Sequence, residues 1–233
     1  MDFRVFPTLE DLSRAAGNIF IELRETEGEN IFIVPGGKTP RLFYQNLARE
    51  PINWSTTTLV ISDERLVEED SLNSNIGMIR ANLLDPIPND FTPNLIPVVN
   101  GFNQTDSNKI LHSLNSATQS LLPPKAAFLG IGSDGHTASL FPGFEEISVT
   151  DAPFILVKRS SESFKRVSVS AQVLHETQIL VFLVSGQSKA PVIQRLANPL
   201  NSPDSLPVEG IINHNIGRVT ILCDHDAAPQ LKS

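Results

Sequence analysis

The stretch Ala126-Ala127-Phe128-Leu129-Gly130-Ile131-Gly132-Ser133-Asp134-Gly135-His136-Thr137-Ala138-Ser139-Leu140-Phe141-Pro142-Gly143 decides how the chain is read. An apolar run ends in glycines, and an acid and an imidazole follow at once. A short run without polar alternation is what a strand buried on both faces looks like, as in a parallel sheet covered by helices. Glycine lets the backbone turn tightly and approach a ligand closely. Asp134 and His136 are side-chain types that orient and move protons near neutral pH. Thr137 and Ser139 suit the cap of a following helical turn. A strand that empties into such a turn puts candidate chemistry at the carboxyl edge of an α/β sheet.

The same alternation runs outward in both directions. Thr8 and Asp11 have capping-box spacing, and Leu9, Leu12, Ala16, Phe20 and Leu23 recur at helical spacing, predicting a helix over about 9–25. Strands are expected at 31–34, 57–62, 95–99 (weakened by Pro97), 125–132, 154–157, 167–170, 179–184 and 219–222. Helices are expected from a Thr39 cap to about Ala48, from Asn75 to Leu84, from a Thr105 cap through Leu121, from Ala171 to Glu176, and after Ser185-Gly186. Residues 198–207 read as a loop rich in Pro, Ser and Asn. This order predicts one α/β domain over 1–233: a three-layer αβα, mostly parallel, Rossmann-like open sheet with right-handed crossovers.

Composition removes several function classes. The net charge of −8 opposes non-specific nucleic-acid binding, and an anionic substrate must find local cations and backbone N–H groups. Cys223 is the only cysteine, which excludes an intramolecular disulfide and a cysteine-rich metal site. No run of 18 apolar residues occurs and the first residues do not read as a leader, so the expected location is the cytoplasm, without a membrane partner. His112, His175, His214 and His225 have no metal-ligand spacing, and no G-x-S-x-G elbow activates Ser62, Ser133 or Ser185.

Four further clusters are candidates. Pro35-Gly36-Gly37-Lys38-Thr39, between strand and helix, suits an anion; it is not a Walker A loop, because Phe32 stands where that pattern needs glycine. A plain strand-to-helix turn is the alternative there. Asp63-Glu64-Arg65 ends a strand, where Arg65 can meet a phosphate or a polarised carbonyl, or simply an ion-pair partner. Ser74-Asn75 offers two short polar side chains, Ser74 also suiting an N-cap. Lys189, in the first turn of its helix, opposes the macrodipole, which is a reason to look for a bound anion there rather than a solvated lysine.

Taken together, these blocks resemble the 6-phosphogluconolactonase family, grouped with glucosamine-6-phosphate deaminases and sugar-phosphate isomerases. The likeness spans most of the chain and includes Gly36-Gly37-x-Thr39-Pro40, Ser62-Asp63-Glu64-Arg65-x-Val67, Ser74-Asn75, the 130–143 block, Arg166-Val167-Ser168-Val169-Ser170 and Gly186-x-x-Lys189-Ala190. The deaminase branch shares Asp-Gly-His but continues Ile-Ala-Phe-Asn-Glu, where this chain has Thr137 to Phe141. The family more commonly has Ser at 35 and 38 and Pro at 68, where this chain has Pro35, Lys38 and Glu68.

The resemblance implies the isomerase-type αβα fold and hydrolysis of 6-phospho-D-glucono-1,5-lactone to 6-phosphogluconate, without metal or cofactor. It implies His136 as the base on water, Asp134 orienting the ring or the loop, and Arg65 supporting the developing oxyanion or the sugar end. Gly36, Gly37, Lys38, Thr39 and Lys189 would hold the phosphate, with Arg41 a weaker candidate, and Asp63, Ser74 and Asn75 would be further substrate- or phosphate-binding residues. The expected partner is the small-molecule lactone alone, in a monomer or small homo-oligomer. The competing expectations are a deaminase/isomerase of an amino-sugar phosphate and a sugar-phosphate sensor that binds without turnover.

Overall fold

The computed structural model describes residues 1–24, 29–96, 106–143, 151–198 and 206–231. Seven strands form a parallel sheet in the order β1 (Asp2–Phe6), β10 (Arg218–Asp224), β9 (Ile179–Val184), β6 (Ala126–Gly130), β2 (Asn30–Val34), β3 (Thr57–Ile61) and β5 (Asn94–Leu95). From β2 the chain steps outward through β3 to β5; from β6 it steps the other way through β9 to β10. The direction reverses between β2 and β6, which pair at Phe32↔Ala126 and Ile33↔Ala127. A crevice opens at such a reversal, beyond the carboxyl ends of the strands.

Right-handed crossovers place α1 (Leu9–Leu23) and α2 (Arg41–Arg49) on one face, where they pack together. The same rule places α5 (Ala171–Glu176), α6 (Ala190–Ala197) and α7 (Pro207–His214) on the other. Under α1 and α2 the sheet is held by rings. Phe20 lies 4.2 Å from Phe32, and Phe43 stacks on Phe128 at 5.4 Å. Phe128 belongs to β6, so the strand that delivers Asp134 and His136 is anchored in the aromatic core.

A second sheet departs from the expected layers. β4 (Asp63–Arg65), β8 (Lys165–Val169) and β7 (Phe154–Lys158) pair antiparallel, in the order β4-β8-β7. Ser62 is the hinge between sheets: its N–H donates to Val34 O and its carbonyl accepts from Val169 N–H, each at 2.8 Å.

Several boundaries differ from the sequence expectation. α2 begins at Arg41 with Pro40 at the cap position and no side-chain cap, so Thr39 stays in the loop. The helix expected over 75–84 is α3 (Asn75–Ile79) followed by a π turn, Arg80–Leu84. α4 (Ser107–Thr118) is capped by Asp106, which accepts Lys109 N–H at 3.2 Å, and stops short of Leu121. Thr105, Pro97 and residues 199–205 of the expected loop lie outside the described residues. A 3₁₀ turn, Gln187–Lys189, precedes α6. β1 and α7 were not expected. β1 is a short edge strand whose Phe3 and Val5 pack partly against the core while Asp2 and Arg4 stay exposed, and α7 starts on Pro207 in a stretch whose composition reads as loop.

Candidate active site

Alternation along β4 builds one wall of the site. Successive side chains of a strand point to opposite faces, so Asp63 and Arg65 face one way and Glu64 the other. Arg65 lies opposite Arg166 on β8, so both arginines share the face of Asp63. All three line a cavity at the carboxyl edge of the main sheet. Glu64, on the far face, accepts backbone N–H groups from Arg65 (2.7 Å), Asn75 (2.8 Å) and Ile76 (2.6 Å). It ties the start of α3 to β4. Burial pushes its carboxyl up to about 7, against the downward pull of those N–H groups.

Asn75 then faces the cavity, donating to Asp63 O at 2.9 Å and accepting from Arg65 Nη1 at 3.1 Å. A second N–H of Arg65 donates to Asn73 O at 2.9 Å, while its Nε is buried with no partner among the described residues.

The glycine turn after β6 builds the opposite wall. His136 Nδ1 lies 2.5 Å from Asp134 Oδ1, and the ring packs on Phe141 with centroids 4.5 Å apart. Burial acts to raise the Asp134 carboxyl, but the hydrogen bond and charge of His136 outweigh it and hold it below the usual carboxylate range. Asp134 thus accepts from Nδ1–H, and Nε2 is the nitrogen left to take a proton. Gly132 is obligatory: a Cβ there would stand 2.1 Å from His136 Nδ1 and 2.5 Å from Asp134 Oδ1. Gly132→Ala should therefore separate the pair and lower kcat by roughly the 10²-fold that a misplacement of about 1 Å costs. Steady-state turnover at wild-type level would contradict the close packing.

Thr137 and Ser139 do not cap a helix. The Thr137 hydroxyl donates to Gly130 O at 3.0 Å and closes the turn. Ser139 donates to Asp63 Oδ2 at 2.5 Å and so stitches the two walls together. Between them Ala138 holds φ +49° on the cavity wall, a left-handed conformation that costs about 1–2 kcal/mol for a residue with a Cβ.

Arg166 sits nearly buried behind Asp63. It binds Glu162 in bidentate fashion, both contacts at 2.8 Å, and its Nη1 is 3.6 Å from Asp63 Oδ2. The guanidinium holds the Glu162 carboxyl below the usual range.

The third wall is the 35–40 loop after β2. Tyr44 of α2, fully buried, donates its hydroxyl to Pro35 O at 2.6 Å and fixes the loop; burial keeps that phenol protonated. Gly36, Gly37, Lys38 and Thr39 all line the cavity. Lys189 enters from the turn after β9. It is partly buried and forms no ion pair among the described residues, and burial lowers its pKa, with Asp134 acting to raise it. A desolvated cation without a partner is a place for an anion.

The structure therefore brings together Gly36, Gly37, Lys38, Thr39, Asp63, Arg65, Asn75, His136 and Lys189. Three expected site residues lie off the cavity lining. Arg41 is exposed on α2, outside the cavity lining. Ser74 is buried, accepts Gly77 N–H at 3.0 Å as the cap of α3, and donates to Glu64. Asp134 lies behind His136 rather than on the lining. Arg166 and Ser185 line the cavity and were not expected. Arg166 stood in a recognised block, but only the antiparallel register with Arg65 shows where it points. No three His, Cys, Asp or Glu side chains converge as a metal site among the described residues.

The family model described as glucosamine-6-phosphate isomerases/6-phosphogluconolactonase matches residues 9–221. The chain belongs to this family. A 6-phosphogluconolactonase of Caulobacter vibrioides is 30% identical, over 93% of this chain and 94% of its own. The solved 6-phosphogluconolactonase of Trypanosoma brucei superposes with a TM-score of 0.82 at 25% identity, over 99% of this chain and 98% of its own. A monomeric glucosamine-6-phosphate deaminase superposes equally well, with a TM-score of 0.82 at 22% identity, over 99% of this chain and 100% of its own. The fold of this family thus carries two chemistries, and the site must choose between them.

Proposed function

We propose that this protein hydrolyses 6-phospho-D-glucono-1,5-lactone to 6-phosphogluconate, with His136 as general base. The observation that carries the reading is the 2.5 Å contact between His136 Nδ1 and Asp134, on a cavity that also holds Lys189 and the glycine loop. Asp134 fixes the ring so that Nε2 accepts a proton from water. The water oxygen bonds to the lactone carbonyl carbon, and negative charge gathers on the carbonyl oxygen. Arg65 and Arg166, side by side on the facing wall, are the donors available to that oxyanion. When the ring C–O bond breaks, the imidazolium returns its proton to the leaving oxygen. The amides of 36–39, Lys38 and Lys189 hold the remote phosphate and place the carbonyl against the base.

Leu140 and Phe141 support the lactonase over the deaminase. They occupy the positions at which the deaminase branch carries Asn and Glu, and both are buried. Phe141 fills the space beside the imidazole, so no carboxylate stands there as a second proton carrier. Disappearance of lactone above its spontaneous rate tests the reading; release of ammonia from glucosamine 6-phosphate, or product binding without turnover, would overturn it. Lys189→Ala should raise KM by roughly 10–100-fold, the worth of a charge-assisted hydrogen bond, with a smaller change in kcat. An unchanged KM would remove Lys189 from the phosphate grip. The reading puts the activity in the cytoplasm, in one domain acting as a monomer or small homo-oligomer; a single cysteine suits a reducing compartment.

A further inference from the structure

We infer that Asp224, which does not line the cavity, is the positioning residue that aims Lys189; this rests on the lactonase reading above. Asp224 ends β10 and is 5% exposed. Its neighbour in the sheet, β9, runs straight into the turn that carries Lys189. The carboxylate reaches across and holds that turn at two points: Oδ2 accepts the Ser185 hydroxyl, and Oδ1 accepts Gly186 N–H at 3.0 Å. Oδ1 also accepts Ala227 N–H at 2.8 Å, so the chain after β10 clamps the carboxylate in place. Gly186 turns the backbone at φ +93°, and its carbonyl accepts Lys189 N–H at 2.9 Å. Asp224, Ser185, Gly186 and Lys189 therefore form one hydrogen-bonded relay. Its last member puts into the cavity an ammonium that forms no ion pair among the described residues.

The role is geometric rather than electrostatic. Asp134, not Asp224, is the carboxylate whose charge acts on Lys189. The contacts also predict which replacement succeeds. Asparagine keeps a carbonyl oxygen for the two N–H groups and turns an amide towards Ser185 Oγ; alanine loses all three bonds. The commitment of the Ser185 hydroxyl also accounts for a cavity-lining serine that is not a nucleophile.

The test measures lactone hydrolysis and 6-phosphogluconate binding for wild type, Asp224→Ala, Asp224→Asn, Lys189→Ala and the double alanine variant. Asp224→Ala should raise KM and the dissociation constant of 6-phosphogluconate by roughly tenfold, with a smaller change in kcat. Asp224→Asn should restore most of that loss. In the double variant the Asp224 change should add little to the Lys189 loss, because both act through one ammonium. Full additivity, or equal loss in the asparagine variant, would overturn the inference. If Asp224→Ala fails to fold, Ser185→Ala and Gly186→Ala loosen the same relay and should show the same dependence on Lys189. A wild type that hydrolyses no lactone overturns the functional reading instead, and binding of 6-phosphogluconate still reports on Asp224.

Discussion

Replacing His136 with alanine should lower kcat by roughly 10²–10⁴-fold, the usual worth of a general base, with the fold intact. The ring is about one-third exposed and its main contacts are Asp134 and one face of Phe141, so little core packing leaves with it. KM should change much less, because the proposed phosphate grip, the 36–39 loop and Lys189, lies on other elements of the cavity. The measurement is the rate of lactone loss above the uncatalysed reaction, beside a thermal melt of both proteins. Turnover near that of wild type would place the base elsewhere in the cavity.

Arg166→Met should have the largest effect on stability. The guanidinium lies between Glu162 and Asp63, whose side chains are 16% and 9% exposed. Methionine fills similar volume and leaves both carboxylates without it. Removing one partner of a buried ion pair costs about 3–5 kcal/mol, because the remaining charge is stranded in a poorly solvating place. In a chain of this size that is a fall in Tm of roughly 6–20 °C. Removing Glu162 as well should recover part of the loss, since one stranded charge goes with it. A loss below about 1 kcal/mol would show that water replaces the guanidinium freely.

What the sequence makes legible here is local. An apolar run followed by glycines and polar groups marks a strand end wherever it occurs, and four such ends converge on the cavity. Thr8 caps α1 as its spacing predicts, accepting Asp11 N–H at 3.2 Å. What stays hidden depends on pairing between distant segments. Asp63-Glu64-Arg65 looks like the tail of a strand, yet it is a strand of its own, and its partner lies about a hundred residues away. Only that pairing separates Glu64, which binds the N–H groups at the start of α3, from Asp63 and Arg65, which face the cavity. Ser74 illustrates the converse. Its residue type fits a site or a cap equally, and burial against Glu64 decides for the cap.

The reversal between β2 and β6 has a consequence for ligand-linked stability. The cavity draws its lining from turns after β2, β6 and β9 and from β4, so no single supersecondary unit contains a usable fragment of it. A molecule bound there touches both halves of the sheet at their seam. Occupancy of the site and integrity of the sheet are then a single thermodynamic event: the native state alone binds, and every increment of bound product is charged against the unfolding of the entire seam rather than the fraying of one loop.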